Sequence, residues 1–246
     1  MAVDKVALVS GATSGIGLGV ARGLVEDGWR VVICGRRVER VGELSTAHGF
    51  DGHVCDVSKP ESVAEMFAGI AQRHGRLDLV FNNAGRFAPA ANFGDLDAAT
   101  WRDMIDTNLN GAFYVAQGAF RIMRDQNPQG GRIINNGSIS AYVPRPHAAS
   151  YTTSKHAITG LTKSIALDGR PYNIACGQID IGNAATDMTS NMSAGSLQAN
   201  GTMAPEPTFD VAHVIDAVRY MAGLPLSANV QFMTVMATTM PYIGRG

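Results

Sequence analysis

Three residues in the middle of the chain have the types and the spacing needed to move a proton. Tyr151 and Lys155 are four residues apart, so on a helix they point to the same face, and Ser138 lies thirteen residues before the tyrosine. A phenol with a pKa of about 10 exchanges protons poorly near neutral pH, and a neighbouring ammonium is expected to lower that pKa. Tyr151 could then exchange a proton with a carbonyl or alcohol oxygen that the Ser138 hydroxyl also hydrogen-bonds.

Other interpretations of these residues exist. Tyr151 alone could be an ordinary tyrosine on a helix surface, and Ser140, eleven residues before it, could take the place of Ser138. The shared register of Ser138, Tyr151 and Lys155 favours proton transfer over the first interpretation, and the interval to the tyrosine favours Ser138 over Ser140. We therefore predict Ser138, Tyr151 and Lys155 as catalytic residues.

A glycine-rich turn near the start of the chain is predicted to hold the phosphates of a dinucleotide. Gly11 permits a sharp turn, Gly15 lets the backbone approach a pyrophosphate, and Gly17 lets the following helix pack close to a sheet. The helix N-terminus adds free N–H groups and a partial positive charge. A purely structural turn is the alternative, but the position between a strand and a helix favours nucleotide binding. The predicted contacts are Gly11, Thr13, Ser14, Gly15, Ile16 and Gly17.

Five motifs in chain order make the sequence similar to the short-chain dehydrogenase/reductase family. The turn has the family spacing T-G-x-x-x-G-x-G with Ser10 in place of threonine, and the segments 82–85 and 151–155 match N-N-A-G and Y-x-x-x-K. Asn108 stands where the family has its helix-four asparagine, and Ser138 ends the fifth predicted strand. The resemblance covers nearly the whole chain and implies an oxidoreductase that transfers a hydride between a nicotinamide cofactor and a carbonyl or alcohol.

The resemblance also implies roles for single residues. Lys155 would bind the nicotinamide ribose, and Asn108 would be a fourth catalytic residue that holds a water linking the lysine to solvent, although a helical asparagine can also satisfy a backbone group. Asp56 would bond the adenine amino group, unless it only caps a turn. A backbone contact to the nicotinamide is expected near Ile181, where the usual Pro-Gly turn is missing. Further predicted cofactor contacts are Val57, Asn83, Ala84, Gly85 and Tyr151.

The end of the second predicted strand bears on the choice of cofactor. An acid there would pair with the adenosine ribose 2′-hydroxyl and exclude a 2′-phosphate, but the chain has Gly35 at the family's acid position. The next residue is Arg36, and a guanidinium can fork onto a phosphate or stack on adenine. We predict NADP(H) as the preferred cofactor, with NAD(H) as the alternative. Arg37 is either a second contact or a solvated surface charge.

The elements that must position these residues follow from the hydrophobic pattern. Short β-rich runs alternate with helical patterns, which predicts an α/β fold: a single-domain, Rossmann-type, doubly wound parallel sheet of about seven strands with helices on both faces. Strands are predicted at 5–10, 30–34, 53–55, 77–81, 132–135, 173–176 and 230–235. A first helix should end at Gly28, and further helices are predicted at 38–47, 60–74, 100–125, 151–168 and 210–221.

Residues 1–246 are predicted to form one domain with a flap at 186–207, where Ser, Asn, Ala, Gly and Met are frequent. Met188, Met192 and Met203 would give this flap an adaptable apolar face, unless it is a loop without substrate contact. Arg145 and other basic residues in neighbouring loops could recognise an anionic substrate group or be ordinary surface charges.

The overall composition sets limits on partners and location. The formal net charge is −1 and no basic run stands out, so a nucleic-acid partner is not expected. The longest low-charge stretch, at 230–243, is too short to span a bilayer, and the N-terminus does not read as a secretion signal, which predicts a cytoplasmic protein. Six histidines show no metal-ligand spacing, so no metal is expected, and three cysteines are expected to be buried thiols.

The sequence thus predicts an NADP(H)-dependent oxidoreductase that acts on a small-molecule carbonyl or alcohol. The family resemblance implies a homo-oligomer, either a dimer or a tetramer, with the helices at 100–125 and 151–168 as interfaces. One alternative is an NAD(H)-preferring alcohol dehydrogenase. Another is a non-catalytic nucleotide-binding regulatory protein, against which the intact register of Ser138, Tyr151 and Lys155 argues.

Overall fold

Seven parallel strands form the central sheet in the order β3-β2-β1-β4-β5-β6-β9, which confirms the predicted doubly wound fold. The structure, a computed structural model, describes residues 5–186 and 195–243. A two-stranded antiparallel hairpin, β7–β8, lies apart from the sheet. The strands are β1 Val6–Ser10, β2 Arg30–Gly35, β3 Asp51–Val54, β4 Leu79–Asn82, β5 Gly131–Asn136, β6 Ile174–Ile181, β7 Ser196–Leu197, β8 Met203–Ala204 and β9 Phe232–Val235.

In the part of the chain that the structure describes, seven α-helices connect and cover the strands. One hydrophobic core lies between the sheet and helices α3, α5 and α6, and a second lies between the sheet and helices α1, α2 and α7. Residues of β1 alternate between these two cores, as expected for a strand buried on both faces. The helices are α1 Gly15–Glu26, α2 Val38–His48, α3 Pro60–His74, α4 Ala98–Ile105, α5 Gly111–Asp125, α6 Ala149–Asp168 and α7 Ala212–Gly223.

The strand order reverses beside β1, because the chain leaves β3 at one edge and returns as β4 on the other side of β1. In open parallel sheets, ligands bind at the carboxyl ends of the strands next to such a reversal. The glycine-rich turn follows β1 and the segment after Asn82 follows β4, so the fold brings two of the predicted motifs to this place.

Two predicted elements differ from the structure. The strand predicted at 173–176 runs on to Ile181, because Gln178 and Asp180 find buried polar partners and can stay in the strand. The single helix predicted at 100–125 is interrupted by a π-helical turn, Asp106–Asn110, between α4 and α5. The π turn bears on the site because it carries Asn108.

Helix α7 packs closely against α1 although the two are far apart in the sequence. A Cβ added at Gly19 would overlap Ile215, and one at Gly23 would overlap the Arg219 side chain. These two glycines therefore permit the close approach of α1 and α7. The Arg219 guanidinium also forms a forked ion pair with Asp27, with bonds of 2.8 and 2.5 Å over a separation of 192 residues. The helix that follows the glycine-rich turn is therefore held from the other end of the chain.

In the described ranges, no helix is both long enough and apolar enough to cross a bilayer. The predicted flap at 186–207 lies partly outside these ranges, and Met188 and Met192 fall there. Residues 195–207 are described and include the β7–β8 hairpin with Met203.

Candidate active site

Two cavities meet at Tyr151. The first, of about 370 Å³, runs from the glycine-rich turn to Tyr151, and the second, of about 500 Å³, lies between the loops that follow β4, β5 and β6. Phe87, Ile181 and Gly182 line both cavities, as Tyr151 does. The structure brings all the predicted cofactor contacts into the lining of the first cavity: Gly11, Thr13, Ser14, Gly15, Ile16, Gly17, Arg36, Arg37, Asp56, Val57, Asn83, Ala84, Gly85, Tyr151, Lys155 and Ile181.

The glycine-rich turn is closed against the segment after β4. Gly11 has a φ of +65°, and a Cβ there would come within 2.8 Å of the Ala84 Cα. The Ser10 hydroxyl accepts the main-chain N–H groups of Asn83 and Ala84 at 2.9 and 3.0 Å. A hydroxyl at position 10 is therefore needed, and serine meets that need as well as threonine would.

The N-terminus of α1 is open to an anion. Ser14 is the N-cap residue, but its side chain makes no capping hydrogen bond, and the first turn of α1 carries no acid. Unpaired N–H groups at a helix N-terminus with a positive partial charge suit a phosphate. Together with the glycine cradle and the elongated cavity, this end of the chain fits the pyrophosphate of a dinucleotide.

Arginines stand at the adenosine end of the first cavity. Arg37 bends back to the glycine-rich turn, where Nη2 donates to Thr13 O and Thr13 Oγ1 at 3.2 and 2.9 Å. Arg36 is exposed at the cavity, and no acid in the described part of the chain pairs with it. At Gly35 a Cβ would come within 2.6 Å of Thr13 Cγ2, so a longer side chain there requires the Thr13 side chain to move.

Asp56 has the local role that its turn position suggested. Its Oδ1 accepts the Ser58 N–H at 3.0 Å and the Ser58 hydroxyl at 2.8 Å, which holds the turn between β3 and α3. The residue also lines the first cavity, next to Val57. The turn presents Asp56 to a ligand in a fixed position.

A chain of hydrogen bonds connects Lys155 with the glycine-rich turn. The buried Lys155 Nζ donates to Asn136 O at 2.8 Å, and Asn136 Nδ2 donates to Asn83 Oδ1 at 2.8 Å. Asn83 Nδ2 in turn donates to the carbonyl oxygens of Ser10 and Gly11 at 3.0 and 3.3 Å. The two amide side chains therefore couple the position of the lysine to that of the turn.

Tyr151 lies one turn before Lys155 on α6, and the lysine Nζ is 5.7 Å from the centre of its ring. The Phe87 ring packs against the Tyr151 ring, with the ring centres 4.4 Å apart. Burial raises the pKa of Tyr151 to about 12, although Ser138 and Arg145 act to lower it. The expected lowering of this pKa is wrong for this structure, because desolvation outweighs the neighbouring charges. Burial also lowers the pKa of Lys155, to about 8.

The serine residues after β5 form a short structured turn. Ser138 is the N-cap of a 3₁₀ turn, Ile139–Ala141, and its hydroxyl accepts the Ser140 N–H at 3.1 Å. Both serines are buried and line the second cavity beside Tyr151. The Ser140 main chain thus holds the Ser138 hydroxyl in place. This arrangement favours Ser138 over Ser140 as the serine that acts with Tyr151.

Asn108 is buried in the π turn and clamps the loop after β4. Its Oδ1 accepts the Arg86 N–H and its Nδ2 donates to Arg86 O, both at 2.9 Å, and Nδ2 also contacts Met104 Sδ at 2.9 Å. The Asn108 side chain therefore satisfies backbone groups, as the alternative interpretation of this residue predicted. The residue also lines the first cavity, in the same lining as Lys155.

The second cavity is mainly apolar, and its one arginine is paired. Arg145 Nη1 lies 2.7 Å from Glu206 Oε2, and its Nη2 donates to Asn183 Oδ1 at 3.0 Å. Burial acts to raise the pKa of Glu206, but the hydrogen bond from Asn183 and the Arg145 charge hold it below its ordinary value. The charge of Arg145 is thus balanced within the protein. The apolar lining includes Phe87, Leu96, Ile139, Pro146, Leu197 and Met203.

Sequence reasoning missed several residues of the site. Asn136 and Gly137 line the first cavity, and Glu206 balances Arg145 beside the second. Asp180 is fully buried behind Ser138. The sequence signal for Asp180 was its position between two isoleucines in an apolar run. An acid buried there needs hydrogen-bond partners, which points to a structured site.

The chain as a whole is similar to known proteins. The family model for short chain dehydrogenases matches residues 5–196. A 3beta-hydroxysteroid dehydrogenase of Mediterraneibacter gnavus is 37% identical over 196 residues, which are 78% of this chain and 70% of that protein. A gluconate 5-dehydrogenase of Gluconobacter oxydans is 36% identical over 196 residues, 76% of this chain and 74% of that protein.

Solved structures give the same result. A variant of the actinorhodin polyketide ketoreductase, solved with NADPH, superposes with a TM-score of 0.84 at 28% identity and covers 95% of this chain and 96% of its own. A serine dehydrogenase solved with NADP+ superposes with a TM-score of 0.84 at 25% identity over 98% of both chains. Chains similar to this one therefore bind nicotinamide cofactors and act on chemically different substrates.

Proposed function

The chain belongs to the short-chain dehydrogenase/reductase family of oxidoreductases, and on that basis we propose that it reduces a ketone or aldehyde with NADPH, or runs the reverse oxidation with NADP+. The observation that carries this proposal is the position of Tyr151, which lines both the cavity that begins at the glycine-rich turn and a mainly apolar one. A proton donor at this junction can reach an oxygen in the second cavity while a nicotinamide lies in the first.

A nicotinamide cofactor held in the first cavity would supply a hydride to the carbonyl carbon, and the protein would supply the proton. Tyr151 is placed to donate it, since it lines both cavities, and its phenol is protonated near neutral pH because burial raises its pKa to about 12. The Ser138 hydroxyl hydrogen-bonds the oxygen as negative charge develops. Lys155 holds the cofactor ribose and places a positive charge beside the phenol.

NADP(H) is the cofactor that the adenosine end of the first cavity favours. Arg36 is exposed there without an acidic partner among the described residues, and position 35 is a glycine where an acid would select NAD(H). The similar structures solved with NADPH and NADP+ support this choice. An NAD(H) preference is the alternative within the same reaction.

A neutral substrate with a large apolar body suits the second cavity. Its lining is mainly apolar, and its volume of about 500 Å³ exceeds the needs of a short-chain ketone. Arg145 is balanced by Glu206, and Arg86, which lies outside this lining, is 3.7 Å from Asp103, so neither offers an unbalanced charge to a carboxylate. The steroid and polyketide relatives act on compounds of this kind, whereas the gluconate enzyme acts on an acid.

The test is NADPH oxidation, followed by cofactor absorbance, with a panel of neutral cyclic ketones, aliphatic aldehydes and keto acids. We expect turnover with neutral cyclic ketones, and a loss of about a hundredfold or more in kcat for Tyr151→Phe with unchanged NADPH binding. Tyr220→Phe, on the exposed face of α7, is the matched control and should keep full activity. NADPH binding without oxidation across the whole panel would instead support a non-catalytic nucleotide-binding protein.

A further inference from the structure

Asp180 is a buried acid that the proposed reaction leaves without a role. It lies near the end of β6 and is 0% exposed. Its Oδ1 accepts the Ser138 main-chain N–H at 2.9 Å and Gln178 Nε2 at 2.7 Å, and its Oδ2 accepts the Tyr142 hydroxyl at 3.0 Å. All three partners are donors, so the contacts suit an ionised carboxylate, which can only accept.

The chain before Ser138 is shaped to let this carboxylate in. A Cβ added at Gly137 would overlap Asp180 Oδ1 and would come within 2.7 Å of Gln178 Nε2. The Gly137 N–H donates to Ile179 O at 2.8 Å, so two consecutive N–H groups of this turn are held by β6. Asp180 therefore fixes the main chain from which the Ser138 hydroxyl projects towards Tyr151.

The charge of Asp180 also acts on the proton-transfer group. It favours the protonated form of both Lys155 and Tyr151, because a negative charge stabilises the ammonium and opposes the phenolate. Burial raises the pKa of Asp180 itself, while hydrogen bonds from Gln178, Ser138 and Tyr142 act in the opposite direction. The titratable and charged groups around Asp180 and Tyr151 are Tyr142, Arg145, Lys155 and Tyr242.

We propose that Asp180 is a positioning residue for the reaction: its carboxylate holds the Ser138 main chain in place and brings a buried negative charge to the proton-transfer group. The proposal rests on the proposed function, since it assigns a task to a residue that supports Ser138, Tyr151 and Lys155. It predicts that Asp180 acts in two separable ways, through a hydrogen bond and through a charge.

Asp180→Asn separates the two, because the amide oxygen can still accept the Ser138 N–H while the charge is lost. In ketone reduction, activity falls at alkaline pH when Tyr151 or Lys155 loses its proton. We expect this alkaline limb of kcat to move to lower pH by about one unit in Asp180→Asn, whichever of the two groups controls it. Tyr142→Phe removes one hydrogen bond but no charge, and its alkaline limb should stay at the wild-type position.

Asp180→Ala removes both the hydrogen bond and the charge. We expect kcat to fall by about a hundredfold with little change in the KM for NADPH, and Asp180→Asn to recover most of that loss at neutral pH. Gly137→Ala is a second variant, which displaces the carboxylate without removing it. It should lower kcat, and its alkaline limb should shift less than that of Asp180→Asn. An unmoved limb in Asp180→Asn, or wild-type kcat in Asp180→Ala, would overturn the proposal.

A titration without substrate distinguishes this proposal from the proposed function. The ultraviolet absorbance of tyrosinate is measured against pH for the wild type and Asp180→Asn, each corrected by its own Tyr151→Phe version. We expect the Tyr151 midpoint to be lower by about one unit in Asp180→Asn. A shifted midpoint in a protein that turns over no substrate would defeat the proposed function alone, and an unshifted midpoint would defeat the role of the Asp180 charge.

Discussion

Two neighbouring residues, Gly35 and Arg36, lie at the end of the first cavity that the proposed function assigns to the adenosine. An acid in place of Gly35 would require the Thr13 side chain to move, because a Cβ at position 35 comes within 2.6 Å of Thr13 Cγ2. Arg36 is the adjacent side chain and is exposed to the cavity, where a 2′-phosphate would meet a guanidinium. Arg37 is held by Thr13, so the two arginines are not equivalent.

Replacing Arg36 is therefore expected to change cofactor preference more than activity. In Arg36→Ala, kcat/KM for NADPH should fall by roughly tenfold or more, because a charge-assisted contact to the phosphate is lost, whereas kcat/KM for NADH should change little. Arg40→Ala is the matched control, since Arg40 pairs with Glu43 on the exposed side of α2. Steady-state kinetics with both cofactors checks this, and an equal loss for NADPH and NADH would contradict it.

At the level of elements, the loop after β5 and the segment after β6 are joined across the second cavity. Arg145 from the first and Asn183 and Glu206 from the second form one network, and Gln198 of the hairpin region donates to Glu206 Oε1 at 3.2 Å. An apolar substrate in the second cavity would leave Arg145 poorly solvated. The ion pair with Glu206 compensates for that, because an unpaired charge away from water is unfavourable.

Glu206→Gln should change substrate choice, because it leaves the Arg145 charge unbalanced beside the second cavity. We expect the KM for a neutral cyclic ketone to rise by roughly tenfold and the KM for a keto acid of similar size to fall. Glu43→Gln, an exposed acid on α2, serves as the control. Kinetics with the matched pair of substrates measures the effect, and parallel changes for both substrates would argue against it.

The arrangement of elements could largely be predicted from the sequence, because the alternation of apolar strands with amphipathic helices is strong. The extension of β6 could not, since Gln178 and Asp180 are polar and only the folded chain shows their partners, Thr162 and Ser138. The π turn at Asp106–Asn110 has no local signal either. The raised pKa of Tyr151 also depends on tertiary burial, which spacing along one helix does not reveal.

At the scale of the whole molecule, Lys155 links the site to global stability. Its pKa is lowered by burial to about 8, from 10.5. Between these two values the unfolded chain binds more protons than the folded protein, so the Lys155 contribution to stability increases as pH rises through this interval. Below pH 8 both states are protonated, and the buried ammonium imposes a constant cost.

This linkage predicts a difference between the wild type and Lys155→Met. From pH 7.5 to pH 9.5, the free energy of unfolding of the wild type should rise by about 2 kcal/mol relative to that of the variant. Urea unfolding of both proteins at several pH values provides the measurement. Groups that titrate equally in the two proteins cancel in this comparison. If the two free energies of unfolding changed in parallel with pH, Lys155 would titrate at its ordinary pKa and the prediction would be wrong.

Assembly is the second property of the whole molecule that can be tested. Phe113 on α5 is 42% exposed and Leu167 on α6 is 59% exposed, so both of the helices that the family resemblance implies as interfaces present apolar side chains to solvent. We expect a dimer or tetramer in size-exclusion chromatography with light scattering, and a smaller species for Phe113→Glu. Tyr220→Glu on α7 is the control. A monomer at every concentration would contradict the prediction.

The close contact between α1 and α7 has a consequence for how the polypeptide reaches this state during synthesis. Asp27 emerges from the ribosome 192 residues before its partner Arg219, and until then Gly19 and Gly23 have nothing to pack against. The packing of α1 is therefore completed only after α7 has been synthesised, late in translation.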